Sequence, residues 1–243
     1  MQSHPAGIPG KAAEMTILPR RQQNRIIRER RILDAALKVF SETGYSGATM
    51  DAVAIQAGLS KPTLYQYFES KEALFSAMLL GERDLMLEFF QHPSGDGMVA
   101  DLLGFAWDYA DTVLRPDLLS LARLIIGEVH RFPEIGHAYQ ESGPDRLLRG
   151  IMEHLEGRRA DGQLVFEDAE LAAQDLWGLI LSAPRNQALY MPDHLPDRAQ
   201  IERYINNGLR VFLKAYSTRP AEDVATLEAL ISAHSLQQVE HDS

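Results

Sequence analysis

The sequence predicts an all-α protein, with a three-helix helix-turn-helix domain over residues 23–75 and a larger all-helical domain over residues 76–243. Three observations carry this expectation. Apolar residues recur at helical spacing along most of the chain, and no segment keeps the strict alternation of a half-buried strand. Gly and Pro divide the periodic segments into helix-sized lengths. Finally, residues 49–71, T-M-D-A-V-A-I-Q-A-G-L-S-K-P-T-L-Y-Q-Y-F-E-S-K, read as two short helices joined by a turn containing glycine.

The first 22 residues are rich in Gly, Pro and small polar residues and are expected to form a flexible basic tail. A cluster of Arg20, Arg21, Arg25, Arg28, Arg30 and Arg31 leads into the first helix. It reads either as a solvated face or as an arm that adds salt-sensitive phosphate affinity. Ile26 or Ile27, then Leu33, Ala36, Leu37 and Phe40, keep helical spacing, and Gly44 ends the helix. In the following loop Tyr45 is expected in the core.

Thr49 is placed to cap the second helix, Asp51 suits its first turn, and Ala52, Val53, Ile55 and Ala57 supply an apolar face. Gly58 ends it, because glycine takes positive φ at the least steric cost. Ser60 caps the third helix, and Pro62 is tolerated in a first turn whose N–H groups have no intrahelical partner. Leu64 and Phe68 form its buried stripe, which leaves Lys61, Thr63, Tyr65, Gln66 and Tyr67 on or near the open face. Lysine and hydroxyl donors suit phosphate oxygens, and Thr or Tyr can touch a thymine methyl. Packing against a neighbouring helix is the alternative for either tyrosine. Ser70 caps a fourth helix expected to reach about Gln91, where H-P-S-G-D-G breaks it.

A helix ending A-A-L-K-V-F-S-E-T-G-Y, the A-T-M-D-A-V-A segment, the A-G-L-S-K-P-T-L-Y-Q-Y-F core and the closing S-K-E-A-L-F together resemble the TetR (tetracycline-repressor-like) transcriptional regulators. The likeness covers residues 27 to 79. It implies a helix-turn-helix DNA-binding domain, a linking fourth helix, a regulatory and dimerisation domain, and a homodimer on palindromic operator DNA. By the same resemblance Thr49, Lys61, Thr63, Tyr65, Tyr67 and Lys71 fall on positions that approach DNA. Pro62, where many members carry Gly, falls among them.

Beyond residue 96 the periodic segments span about 97–114, 117–131, 133–158, 168–189, 198–217 and 222–237, with a break or kink expected at Pro144. Large apolar residues with few polar neighbours are either core or the lining of a site for a small apolar or aromatic effector. The candidates are Phe105, Trp107, Tyr109, Leu124, Glu128, Phe132 and Trp177. For self-association the candidates are Leu176, Ile180, Leu181, Ile205, Leu209 and Phe212, which could equally face the protomer's own core. Gly178, Ser182 and Gly208 would permit close helix approach.

Composition narrows the alternatives. The net charge is −10, yet residues 1–75 carry ten Lys and Arg against seven Asp and Glu, whereas the remainder carries fourteen against twenty-seven. A basic module therefore sits on an acidic body, and local potential is what DNA meets. Cysteine is absent, which fits a reducing cytoplasm and removes thiolate chemistry. No apolar run approaches the ~18 residues of a membrane span. With no G-x-S-x-G and no H-E-x-x-H, neither an enzyme, a metal site nor a cofactor is expected. A regulator that works without a small molecule, or as an activator, is the competing reading.

Overall fold

The structure, a computed structural model, describes residues 20–79 and 96–241, with side chains through residue 233. The tail before Arg20 and the expected course of the fourth helix from residue 80 to Gln91 lie outside the described residues. Helix α1 spans Arg20–Gly47, α2 Met50–Ala57 and α3 Lys61–Tyr67. Residues 71–79 form the described part of α4. Then follow α5 (Met98–Val113), α6 (Pro116–Glu128), α7 (Pro133–Ser142), α8 (Pro144–Ala160), α9 (Ala169–Tyr190), α10 (Arg198–Tyr216) and α11 (Pro220–His241). No strand occurs among the described residues; a single bridge pairs Leu164 with Ser217.

Local chemistry sets the helix ends. Thr49, Ser60, Asp168 and Asp197 each cap a helix by accepting from a first-turn backbone N–H. Proline opens α6, α7 and α8 at the position where its missing donor costs nothing. Pro144 thus splits the long segment 133–158 into two helices, as its residue type predicts. Gly44 (φ 73°) breaks the regular geometry of α1, and Gly58 (φ 64°) closes α2 in the left-handed region.

Two cores form. The first joins Ile32, Ala36 and Phe40 of α1, Val53 and Leu64 of the next two helices, and Leu74–Leu79 of α4 with Leu121, Ile125 and Ile135 of α6 and α7. The second is built from α5, α8, α9, α10 and α11 around Leu102, Ile151, Leu176, Ile180, Leu209 and Phe212. Three sequence expectations are corrected here. Arg20–Gln22, expected in the tail, are helical. Ile26 and Ile27 are 47% and 55% exposed because no other element among the described residues packs beside the start of α1; Ile32 is the first residue of its buried stripe. Ile55 is 80% exposed, since α2 is only eight residues long and turns Val53, Ala54 and Ala57 inward instead.

All six residues proposed for self-association, Leu176, Ile180, Leu181, Ile205, Leu209 and Phe212, are fully buried within the protomer. The cause is the tight crossing of α9 and α10. A Cβ on Gly208 would lie 2.5 Å from the Leu179 carbonyl oxygen, so the two backbones meet without a side chain between them. That contact consumes both apolar stripes. Leu171, Gly178, Ser182 and Val211 remain exposed on the same two helices.

Candidate DNA interface and effector cavity

Helix α3 presents its polar face outward. Lys61, Pro62, Tyr65 and Gln66 are exposed, whereas Thr63 and Tyr67 are half-buried. Lys61 ion-pairs with Asp51 of α2 at 2.7 Å, and the hydrogen bond it donates to that carboxylate raises the lysine pKa. Thr63 Oγ1 lies 2.8 Å from the capping Ser60 Oγ. Thr49 is exposed, and its hydroxyl accepts from Ala52 N at 3.1 Å. Tyr65 is 43% exposed, while Tyr67 packs against the first core.

Lys71 has a different setting from the others. Its ammonium donates to the Tyr45 carbonyl at 2.9 Å and sits 4.4 Å above the Tyr45 ring centroid. Tyr45 itself is buried, as expected, and packs edge-on to Phe75 and Phe132 at 5.1 Å each. The six arginines at the start of α1 are all exposed.

The DNA-domain side is bonded to the rest of the chain at the end of α6. Ser46 N donates to Glu128 Oε1 at 3.4 Å, and a Cβ at Gly44 would stand 3.1 Å from the same oxygen. Glu128 and Leu124 lie at this junction, where with Ser41, Gly44, Ser120 and Arg123 they line an open cleft of about 450 Å³ between α1 and α6, and Phe132 packs against the first core. Of the other expected lining residues, Trp107 is stacked under the Arg198 guanidinium at 4.2 Å, and Phe105 stacks behind Tyr109 at 6.0 Å.

Tyr109 and Trp177 do line a cavity. It holds about 80 Å³ and is walled by Leu79 of α4, Leu118 and Leu121 of α6, Tyr139 of α7, Leu147 of α8 and Arg185 of α9. Trp177 Nε1 donates to Tyr109 Oη at 2.6 Å, and Arg185 donates to Tyr139 Oη at 3.4 Å. Burial pushes the Tyr109 hydroxyl pKa up, against the pull of the Arg185 charge. A second, open chamber of about 490 Å³ shares Tyr109, Pro144, Trp177 and Arg185 with the first and adds Gln140, Asp145, Glu170 and Gln174.

Comparison with known proteins decides the family. Residues 32–78 match the bacterial regulatory proteins of the tetR family, and residues 100–218 match the C-terminal domain of AefR-like transcriptional repressors. A TetR-family transcriptional regulator from Mesorhizobium loti superposes with a TM-score of 0.71 at 30% identity, covering 79% of this chain and 98% of that one. The chain belongs to the TetR family. A second solved structure, the flavonoid-responsive regulator FrrA, superposes at a TM-score of 0.62 with 33% identity, again over 79% of this chain and 98% of its own. Curated relatives match over less. The HTH-type transcriptional regulator UidR of Escherichia coli is 43% identical over 63 residues, 26% of this chain and 32% of that protein. This chain thus spans about a third of the length of the curated relatives it matches.

Within this TetR-family chain, sequence reasoning missed Arg185 and Pro144 as lining residues. Only the Ser142-Gly143-Pro144 break hinted that α7 and α8 part there and open a gap. It also missed Asp51 as the partner of Lys61, although the two stand at the starts of adjacent short helices.

Proposed function

We propose that the protein is a DNA-binding transcriptional repressor that docks α3 of each protomer of a homodimer into successive major grooves of a palindromic operator. Residues 23–75 form the reading unit and residues 76–243 the regulatory and dimerisation unit. Lys61, Pro62 and Tyr65, with Thr49, Thr63, Tyr67 and the basic start of α1, face the duplex. Lys71 supports that face through Tyr45. The exposed stripes of α9 and α10 that contain Leu171, Gly178, Ser182 and Val211 supply the partner contact. A pair of such domains can read half-sites ~34 Å apart, and most of the affinity is phosphate charge.

The observation that carries the regulatory half is a shared wall. Leu79 and Leu121 line the cavity and also belong to the core that holds the DNA-reading helices, with Tyr139 packed against both. A small molecule in the cavity presses on α4 and α6 and so on the seat of α1, and it needs only a few kcal/mol of preference for the non-docking arrangement to release DNA. Two features of relatives support a sensing repressor: the AefR-like repressor match over residues 100–218 and the flavonoid response of FrrA. Fluorescence anisotropy on the intergenic DNA upstream of its own gene, repeated with a small-molecule library, tests the reading. Tight, competitor-resistant binding released by a compound is expected. Binding that no compound releases would favour a regulator without a small-molecule effector, and activation in a reporter assay would reverse the sign of control.

A further inference from the structure

The two chambers share Tyr109, Pro144, Trp177 and Arg185, and around this constriction the side chains, with Tyr139 of the inner chamber, have donors left to give. Arg185 Nε is buried and makes no hydrogen bond. Tyr139 Oη accepts from Arg185, and Tyr109 Oη accepts from the indole N–H of Trp177, which can only donate. Each tyrosine is therefore left with its own O–H to give, and among the described residues no acceptor takes either proton. Arg185 has no carboxylate partner among the described residues. A buried guanidinium N–H and two hydroxyl protons without acceptors are costly to leave unmatched.

Size and charge narrow the occupant. The inner chamber of about 80 Å³ is lined mainly by leucines, Val113 and Ala122, with Ser142 at the end of α7, and it is roughly half the ~150 Å³ of an engineered apolar cavity that holds benzene. A drug-sized ligand must therefore pass through the constriction into the outer chamber. There Asp145 and Glu170 oppose a second negative charge. We propose that the effector is an organic monoanion: an apolar group in the inner chamber and a single carboxylate or phenolate oxygen at the constriction. That oxygen takes hydrogen bonds from Arg185, Tyr109 and Tyr139, and the remainder lies uncharged in the outer chamber. This rests on the sensor reading above and adds the chemical class to it.

Isothermal titration of the full-length protein with 3-phenylpropionate, 4-hydroxycinnamate and their methyl esters tests the class, with phenylsuccinate as the dianion. The acids are expected to bind at least about tenfold tighter than their esters and than the dianion, a gap of ~1.4 kcal/mol or more. Arg185→Gln is expected to erase the preference of acid over ester, and Tyr139→Phe to reduce it. Melting curves check that the variants fold, and the wild-type acid-to-ester ratio decides even where a variant does not. Esters that bind as tightly as acids, or a preference that survives Arg185→Gln, would overturn the anion assignment while leaving a small-molecule sensor standing. If neither acids nor esters bind, and no library compound releases DNA, both readings fall.

Discussion

Lys71 caps the face of Tyr45: its ammonium stands 4.4 Å from the ring centroid while bonding the same residue's carbonyl at 2.9 Å. The ring beneath it contacts Phe40, Phe75 and Phe132, so one lysine braces the point where α1, α4 and the segment after α6 converge. Lys71→Ala is expected to destabilise the protein by about 1–2 kcal/mol, the scale of a partly buried cation–π contact plus a charged hydrogen bond. It should also weaken operator binding by loosening the support of α3. Urea unfolding beside anisotropy checks both, and an unchanged midpoint would show that the brace carries no stability.

Tyr65 offers the opposite case. It is 43% exposed on α3 and packs in neither core. Tyr65→Ala should lower operator affinity about tenfold or more with the melting temperature unchanged, because a lost base or phosphate contact costs ~1–3 kcal/mol. Intact affinity would remove Tyr65 from the reading face.

The Asp51–Lys61 pair sets a third expectation. An exposed ion pair contributes little to stability, but the carboxylate competes with phosphate for the lysine and adds negative charge beside the duplex. Asp51→Asn is expected to tighten DNA binding several-fold at low salt, with a gain that shrinks as salt rises. The slope of log affinity against log salt should steepen; weaker binding at all salt concentrations would contradict the docking arrangement.

Gly208 and Gly178 form a matched pair for stability. A methyl on Gly208 would collide with the Leu179 carbonyl, whereas one on Gly178 would meet nothing within 4 Å. Gly208→Ala should destabilise by about 1–3 kcal/mol through forced separation of α9 and α10. At Gly178, in an exposed helical site, the same change should stabilise the monomer fold by up to ~1 kcal/mol. Chemical denaturation of the two variants in parallel reads the contrast.

His154 predicts a pH dependence. Burial, then the neighbouring Arg158 charge, holds its imidazole below the ordinary value of 6.5, against the pull of Asp101. The unfolded chain binds that proton more readily than the folded one, so stability falls as pH drops below 6.5 toward the depressed value and is level above it. His154→Gln should flatten this part of the stability profile measured by urea titration between pH 5 and pH 7.5, chosen to bracket the ~6.5 reference value.

Much of the fold was legible because its punctuation is chemical. Thr49, Gly58, Ser60 and Pro144 act through their own backbone preferences, so they mark helix ends wherever the chain goes. The inward turn of Leu64 and Phe68 likewise follows from spacing within one helix. What could not be read was which of two neighbours an apolar stripe would meet. Ile205, Leu209 and Phe212 suit a partner subunit as well as their own core, and the choice is made by Gly208 letting α10 press against α9. The effector residues were legible only in part for the same reason. Tyr109 and Trp177 are large and aromatic, which drew attention to them, but so are Phe105 and Trp107, which end up behind and beside the cavity. Arg185 looks in sequence like any helical arginine, and its importance comes from α7 and α8 parting opposite it.

The double-faced wall of Leu79 and Leu121 constrains how such a protein can diversify. Changes that reshape those residues for a new effector also disturb the seat of the DNA-reading helices, so they carry a cost in repression itself. Pro144, Leu147, Trp177 and Arg185 stand on the opposite wall, outside the first core. Altered effector preference should therefore arise by drift on the α8–α9 side of the cavity, while the α4–α6 side stays fixed by a task that has nothing to do with the ligand.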